Sequence, residues 1–307
     1  MLPQLLVLVF GLSILLISTQ IFVHQAEKLS QALRFSPLII GSTLVAIGTS
    51  LPEMSVSVIA AARGDMGLAL SNIIGSNIVN ILLIFPAGLL AGKIRVGTTK
   101  TINNLILLLF TTSLYCLLTV SPSYTASAGV LLLLTALLVT AIEIFWALKG
   151  QSQEDRKYFS GKRHPKISLL WLMLPLTGVF FGSLITVNQV ELLAVSTGLS
   201  TTILGFTLTA IATSLPELLT TFTSQSEHQE KLTTGNIIGS NIYNLTLTGG
   251  LIYLVNSHPI YLNTQLYFLL GITLAFCLLL LICRGKNLPR RLAWWFLAGA
   301  GGYLLLL

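Results

Sequence analysis

GTSLPE, residues 48–53, recurs as ATSLPE at residues 212–217. Each copy lies inside a longer matching block, GSTLVAIGTSLPEMSVS in the first case and GFTLTAIATSLPELLTT in the second, 164 residues later. A further pair, SNIIGSNIVN at 71–80 and GNIIGSNIYN at 235–244, has the same offset. Two separate blocks at one offset indicate an internal duplication of the chain.

The composition is that of a membrane protein. Of the 307 residues, 54% are hydrophobic and 9% are charged, and the mean hydropathy is +0.86. An ordinary soluble domain carries about 25% charged residues. A helix needs about 20 apolar residues to cross the hydrocarbon core, and nearly the whole chain divides into such segments. We therefore expect an all-α integral membrane protein.

The hydropathy pattern predicts ten transmembrane helices. They are 3–23, 37–62, 67–90, 103–120, 126–148, 168–187, 200–224, 232–255, 263–283 and 289–307. Together with the duplication, this predicts a first five-helix repeat at 1–148, a polar linker at 149–167 and a second five-helix repeat at 168–307. We assign the linker no chemistry.

The basic residues predict the orientation of the chain. With both termini outside, 16 of the 17 Lys and Arg residues fall in inner loops, and only Arg63 falls outside. The inner set is Lys28, Arg34, Lys93, Arg95, Lys100, Lys149, Arg156, Lys157, Lys162, Arg163, Lys166, Lys231, Arg284, Lys286, Arg290 and Arg291. Cytoplasmic loops are enriched in Lys and Arg, so the count favours ten spans and a cytoplasmic linker.

The two repeats are predicted to be inverted relative to each other. Five is an odd number of spans, so the second copy must enter the membrane from the side opposite to the first. Inverted repeats place substrate and ion sites near the bilayer midplane, at interrupted helices where the two halves meet. The duplicated motifs are candidates for that position.

Proline predicts the interruptions. Pro52 and Pro216 have no N–H, so they cannot donate to the carbonyls of Gly48 and Ala212. We expect each helix to break there and to offer the freed carbonyls to a bound cation, because opened backbone at membrane depth is tolerated only in protein or a water-filled cavity.

Every polar side chain that the motifs place near these breaks offers oxygen. Glu53 and Glu217 directly follow the prolines, and spacings of three or four residues keep hydroxyl and amide groups on one helical face. These further candidate ligands are Thr49, Thr213, Ser50, Ser214, Ser76, Ser240, Asn80 and Asn244. Ca²⁺ takes about six to eight oxygen ligands, whereas zinc and copper favour His or Cys. The motifs therefore predict a site for a hard cation.

The charge of the predicted site favours exchange over leakage. Two ionised glutamates neutralise one Ca²⁺, and the same oxygens in smaller subsites could hold Na⁺. An uncompensated charge at the bilayer centre costs at least about 2.5–3.5 kcal/mol, so an empty site resists crossing the membrane barrier. Protonation of both glutamates would also neutralise the site, which leaves protons open as the counter-ion.

Other functional classes fit the sequence less well. An enzyme is disfavoured because no HExxH occurs and the motif serines have no neighbouring His or Lys base. A passive cation channel stays open as a weaker alternative. The basic residues form no compact stripe with aromatics, so we expect no nucleic-acid partner. Cys116, Cys277 and Cys283 lack metal or disulfide spacing, and Glu143 is interpreted as a structural residue that reaches the membrane interface.

With these motifs, the sequence resembles the sodium/calcium exchanger family of the cation/calcium antiporter superfamily, in its prokaryotic form, along essentially the whole chain. The resemblance implies exchange of Ca²⁺ for Na⁺ by alternating access, with two shorter helices sliding across a core of eight. It also implies a prokaryotic plasma (inner) membrane, transported cations and membrane lipid as partners, and no cofactor. We expect the chain to function as a monomer.

The resemblance also assigns site residues. It makes Glu53 and Glu217 the central Ca²⁺ ligands, supported by the hydroxyl and amide residues named above, and it adds the backbone carbonyls of Ala46 and Ala210. Well-studied sodium/calcium members carry Asp where this chain has Asn244, so the site has one negative charge fewer. Coupling to H⁺ or dependence on K⁺ therefore remain alternatives to Na⁺.

Overall fold

The computed structural model describes residues 2–32, 46–94, 99–120, 126–149, 170–226, 230–256, 262–284, 286–305 and 307. Its elements with assigned ranges are all helical. The α-helices are α1 (Leu2–Ala32), α2 (Ala46–Thr49), α3 (Leu51–Ala62), α4 (Met66–Val79), α5 (Phe85–Ala91), α6 (Thr99–Val120), α7 (Ala126–Lys149), α8 (Leu170–Thr197), α9 (Thr201–Leu204), α10 (Ala210–Thr213), α11 (Leu215–Ser226), α12 (Glu230–Tyr243), α13 (Gly249–Val255), α14 (Asn263–Ile282) and α15 (Arg291–Leu304). The all-α prediction is confirmed for these residues.

Three π turns connect successive helices without leaving the helical path. They are Asn80–Ile84 between α4 and α5, Gly205–Thr209 between α9 and α10, and Asn244–Thr248 between α12 and α13. A π turn widens the helix by one residue and is frequent at functional sites. The first and third begin at positions that the 164-residue offset relates.

Seven helical segments in the described part of the chain are long and apolar enough to cross a membrane, by length and composition. They are Leu2–Phe22, Met66–Ala91, Ile102–Val120, Ala126–Trp146, Leu174–Thr197, Thr201–Thr223 and Asn263–Ile282. The prediction of a multi-pass membrane protein is confirmed. The full arrangement of ten helices in two repeats remains a prediction.

The other three predicted spans differ from this pattern for separate reasons. Residues 37–45 of the second span lie outside the described residues, and Leu51–Ala62 is a shorter apolar helix. Residues 230–255 are helical throughout but rich in Asn, Ser and Thr. The last predicted span contains α15, which has only 14 residues.

The helices divide into a buried centre and a lipid-facing periphery. Every residue of α4 is buried, although the helix is apolar enough to face lipid. By contrast, α1 exposes large apolar side chains such as Leu6 and Phe10 at 62% and 61%. A soluble protein rarely exposes a large contiguous apolar patch, so these side chains are suited to a hydrocarbon environment.

The longest pair of helices, α1 and α8, pack along each other at the periphery. Glycine permits their close approach. A Cβ added at Gly182 of α8 would lie 2.7 Å from the backbone nitrogen of Leu15, and one at Gly11 of α1 would lie 2.6 Å from a methyl carbon of Ile185. Small residues are typical of such contacts between membrane helices.

Replacing Gly182 with Ala should therefore separate α1 from α8 and destabilise the protein by about 1–3 kcal/mol, the usual cost of overpacking. Thermal unfolding in detergent measures the change. Gly271→Ala on α14 is the matched control, since a Cβ there meets nothing within 4 Å, and Ala in a helix interior is favoured over Gly by about 0.5–1 kcal/mol. Equal melting temperatures for the two variants would contradict the close-packing argument.

Candidate cation-binding site

The helices that carry the SLPE motifs break at equivalent serines. Ser50, with φ −83° and ψ 6°, separates α2 from α3, and Ser214, with φ −84° and ψ 8°, separates α10 from α11. Pro52 and Pro216 are the second residues of the helices that follow, where a missing N–H leaves no helical bond unmade. The predicted breaks are confirmed, with the same backbone geometry in both copies.

Two alanine carbonyls lie at these breaks. The Ala46 oxygen accepts hydrogen bonds from the Ser50 N–H and from the Thr49 hydroxyl, both at 3.3 Å. The Ala210 oxygen accepts the equivalent pair of bonds at 3.2 and 3.5 Å. The carbonyls implicated by the family resemblance are therefore at the breaks and already accept protein donors.

The prediction that the Ala212 carbonyl is free is wrong. Pro216 cannot donate to it, but a backbone N–H at the end of α10 does. The helix thus ends in a tighter turn that satisfies the carbonyl. Proline determines where the helix breaks without leaving this oxygen free for a cation.

The two glutamates are fully buried, and a serine from the opposite copy bonds to each. The Ser214 hydroxyl donates to Glu53 Oε1 at 2.8 Å, and the Ser50 hydroxyl donates to Glu217 Oε1 at 3.2 Å. Ser240 also donates to Glu217 Oε1, at 3.3 Å. The motifs, 164 residues apart in sequence, thus form one cluster with crossed contacts.

Two asparagines that the sequence reasoning missed repeat this crossed pattern. The Thr49 hydroxyl donates to Asn236 Oδ1 at 3.3 Å, and the Thr213 hydroxyl donates to Asn72 Oδ1, also at 3.3 Å. Both asparagines are fully buried. Their equivalent places in the NIIGSN blocks were the available signal, since each block contains more polar residues than the two that were assigned to the site from it.

A glycine in the same block lets the two halves approach. A Cβ added at Gly75 of α4 would lie 2.9 Å from the Ala210 Cβ and 3.1 Å from the backbone of Phe206. The glycine therefore allows α4 to pack directly against the interrupted helix of the other copy. Ser76, the next residue, is fully buried in the same helix.

Several buried oxygens of the candidate ligands have no hydrogen-bond partner. They are Glu53 Oε2, Glu217 Oε2, Ser76 Oγ, Asn80 Oδ1 and Asn244 Oδ1. A buried polar atom without a partner is costly, and a buried carboxylate is more so. All five atoms can ligate a hard cation. The described residues include no group of three or more His, Cys, Asp and Glu that could hold a metal ion.

The asparagines at the π turns are equivalent in sequence but differ in their contacts. Asn80 donates through Nδ2 to Asn241 Oδ1 at 2.8 Å, and only its own Oδ1 lacks a partner. Asn244 is fully buried and neither of its side-chain atoms has a partner. Both asparagines are thus buried in the interior. Neither has a recorded hydrogen bond to Glu53 or Glu217.

Glu143 lies elsewhere and was misinterpreted in one respect. Its side chain is 5% exposed, so it does not reach the membrane interface. Its Oε2 accepts a hydrogen bond from the Tyr243 hydroxyl at 3.1 Å. This third buried carboxylate is outside the duplicated cluster.

The fold and the cluster define a class of protein: a multi-pass helical membrane protein whose interior holds a cage of oxygen ligands suited to a hard cation. A family model for the sodium/calcium exchanger protein matches residues 3–146 and 167–307. The chain belongs to the sodium/calcium exchanger family. The unmatched residues, 147–166, nearly coincide with the predicted linker.

Individual relatives agree with this assignment. The chain is 34% identical over 240 residues to the putative antiporter CaxA of Alkalimonas amylolytica, covering 76% of this chain and 75% of the relative. It is 28% identical to the sodium/calcium exchanger MaX1 of Methanosarcina acetivorans, covering 90% of each. A structure of the sodium-calcium exchanger NCX_Mj soaked with 2.5 mM Na⁺ and 10 mM Sr²⁺ matches with a TM-score of 0.69 and 28% identity, covering 97% of this chain and 96% of that one. These relatives are named as transporters, which supports transport rather than enzymatic function at the family level.

Ser50→Ala and Ser214→Ala should each weaken Ca²⁺ binding about ten- to a hundredfold, because a hydrogen bond to a charged group contributes about 1.5–3 kcal/mol. Isothermal titration calorimetry of the detergent-solubilised protein measures this. Ser13→Ala is the control, since the Ser13 hydroxyl is exposed and bonds to its own helix at Val9 O. A large effect from only one of the two cage variants would argue against an equivalent role for the crossed serines.

Proposed function

We propose that the chain is a secondary active antiporter that exchanges Ca²⁺ for Na⁺ across the membrane by alternating access. One observation carries the proposal. Glu53 and Glu217 are fully buried, each is held by a serine of the other repeat, and each keeps one oxygen without a partner. A cation between them would neutralise both carboxylates and satisfy both oxygens.

The donor set favours Ca²⁺ as the divalent ion. Glu53, Glu217, Thr49, Thr213, Ser50, Ser214, Ser76, Ser240, Asn80 and Asn244, with the carbonyls of Ala46 and Ala210, are the proposed ligands. Ca²⁺ accepts six to eight oxygens in flexible geometry, whereas Mg²⁺ requires a near-ideal octahedron and retains water. Crossed contacts between separate helix breaks are better suited to the flexible case.

The counter-ion follows from charge compensation. An empty cage with two ionised carboxylates is unfavourable at membrane depth, so a returning cation must take the place of Ca²⁺. Na⁺ is the proposed cation on the basis of family membership and the hard-oxygen ligands. H⁺ is the second candidate, because the neutral Asn244 gives the cage only two carboxylates. K⁺-dependent exchange and a passive channel are less favoured.

Ten spans in two inverted five-helix repeats are the proposed architecture, with repeats at 1–148 and 168–307 and the linker at 149–167. The reciprocal serine–glutamate and threonine–asparagine bonds support this, since a two-fold relation between the halves produces such pairs. Both termini are proposed to lie outside a prokaryotic plasma (inner) membrane, from the distribution of Lys and Arg. A monomer surrounded by lipid contains both halves of the cage and needs no cofactor.

The peripheral pair α1 and α8 is the proposed moving part. The two helices pack mainly against each other. Helix α8 also contacts the interrupted helix α3, where the hydroxyl oxygens of Ser183 and Ser55 are 2.5 Å apart. Their lengths, 31 and 28 residues, differ from the shorter sliding helices that the resemblance implied. Long helices can slide while they still cover the cage.

Reconstituted protein should move Ca²⁺ against its gradient when an opposing Na⁺ gradient is imposed, because only an occupied cage crosses the barrier. Uptake of ⁴⁵Ca²⁺ into proteoliposomes is measured with Na⁺, H⁺ and K⁺ gradients in turn. A Ca²⁺ flux that does not depend on the Na⁺ gradient would rule out Na⁺ coupling. A Ca²⁺ flux driven by the pH gradient alone would establish the proton-coupled form. Channel-like rates without any dependence on a counter-ion would support the passive alternative.

Glu53→Gln and Glu217→Gln should each abolish Ca²⁺ transport, because each removes one of two charges that compensate the divalent ion. The variants should still elute as folded protein in size-exclusion chromatography, since Gln preserves the shape of the side chain. Glu191→Gln is the control: Glu191 is part of a surface pair with Arg63 at 3.5 Å, and such pairs contribute about 0–1 kcal/mol. If either cage variant transported Ca²⁺ at the wild-type rate, the glutamate it replaces would be ruled out as a ligand.

A further inference from the structure

Outside the cage, Glu143 forms a hydrogen-bonded group of side chains with Tyr243 and Thr140. Its Oε2 accepts from the Tyr243 hydroxyl at 3.1 Å, and that hydroxyl is also 3.0 Å from the hydroxyl oxygen of Thr140, one turn earlier on α7. Glu143 Oε1 is buried and has no hydrogen-bond partner. The side chain is therefore half satisfied, as are the two glutamates of the cage.

This group occurs in only one half of the molecule. The cage residues match one another at the offset of 164, but at that offset Tyr243 corresponds to Val79 and Glu143 to Leu307. The duplicated cage therefore does not account for the group. A structural role alone does not require a carboxylate in one half, where apolar residues suffice in the other.

The group lies against an element that carries a proposed ligand. Tyr243 directly precedes Asn244, which begins the third π turn, and α7 packs against that turn and against α13. A charge at Glu143 is therefore connected to Asn244, a proposed ligand, through one hydroxyl and one residue of backbone. A change in that charge can act on the cation held there.

The titratable side chains that the structure describes on the elements in contact with α7 are Tyr115 and Cys116 on α6, Tyr243 on α12 and Tyr253 on α13. Of these, Tyr243 bonds directly to Glu143. Among the side chains that the structure describes, the one recorded ion pair is Arg63–Glu191, away from this group.

We propose that Glu143 is a second cation-accepting site, separate from the cage, and that the cation it takes is a proton carried in the transport cycle. A metal ion requires several oxygen ligands, six to eight in the case of Ca²⁺, and Oε1 is the only oxygen of this group without a partner. The Thr140 hydroxyl already donates to Ala136 O at 2.8 Å. A single proton on Oε1 satisfies the carboxyl group without further ligands.

The proposed step is a simple proton exchange with water. Glu143 Oε1 takes one proton from water on one side of the membrane, the carboxylate becomes a neutral carboxylic acid, and the same proton is returned to water on the other side. The ionised form adds negative charge near the cage and favours bound Ca²⁺. By linkage, Ca²⁺ binding favours release of the proton, which couples the two ions in opposite directions.

This inference rests on the proposed antiport function, and one experiment separates the two. Ca²⁺/Ca²⁺ self-exchange in proteoliposomes at equal pH requires only the cage. When Na⁺ is the counter-ion in the cage, the additional ⁴⁵Ca²⁺ uptake that a superimposed pH gradient drives, called pH-driven uptake below, requires the proton site as well. Wild-type protein should show both activities. Glu143→Gln, which imitates the protonated side chain, should retain self-exchange and lose the pH-driven uptake about tenfold or more, within the usual range of coupling between sites. Glu191→Gln should behave as wild type.

The other outcomes decide against one or both proposals. Wild-type protein without self-exchange would overturn both the antiport function and the role of Glu143. Self-exchange without pH-driven uptake in the wild type, or undiminished pH-driven uptake in Glu143→Gln, would overturn only the proton site.

Tyr243→Phe is a second test of the proton site, for use if Glu143→Gln does not fold or does not carry out Ca²⁺ self-exchange. It removes only the hydroxyl that donates to Oε2, so the ionised carboxylate loses a donor, and the pH at which Ca²⁺ flux is half-maximal should rise. Glu143 would be a merely structural residue if the pH profile of this variant matched that of the wild type.

Discussion

The burial of two carboxylates with no cationic side chain beside them is the constraint on which the rest of this structure depends. Glu53 and Glu217 are both fully buried, and in the described part of the chain the recorded ion pair is at the surface, between Arg63 and Glu191. An unpaired buried charge is strongly unfavourable. The protein tolerates the two glutamates because hydroxyl groups hold one oxygen of each and a cation can hold the other.

The crossed pattern of these bonds makes the two halves dependent on each other. Ser50 holds the glutamate of the second copy and Ser214 that of the first, so neither half has a complete site by itself. The helix breaks bring these hydroxyls to the carboxylates, and Gly75 allows the helix beside them to pack closely. Movement of one half relative to the other would alter both carboxylate environments at once, which is what alternating access to a central ion requires.

Residues that the 164-residue offset relates differ in their contacts at two places. Asn80 is bound to Asn241, whereas both side-chain atoms of Asn244 lack partners. Tyr243, the residue before Asn244, donates a hydrogen bond to Glu143. At the offset of 164, the residues equivalent to Tyr243 and Glu143 are the apolar Val79 and Leu307. Under the proposed function, the duplicated residues would select a hard cation, and the unduplicated group at Glu143 would accept a second charge.

The sequence by itself determined the membrane class, the duplication, the positions of the helix breaks and the oxygen-only chemistry of the motifs, because hydropathy, repeated spacing and proline act locally along the chain. Only the tertiary structure decided that the serine–glutamate pairs cross between copies, that Asn72 and Asn236 take part, and that Glu143 is buried against Tyr243. It also overturned the expectation that Ala212 keeps a free carbonyl, since a neighbouring N–H replaces the lost donor. Contacts between residues 161 and 167 positions apart depend on how helices pack, and local sequence preferences do not specify that arrangement.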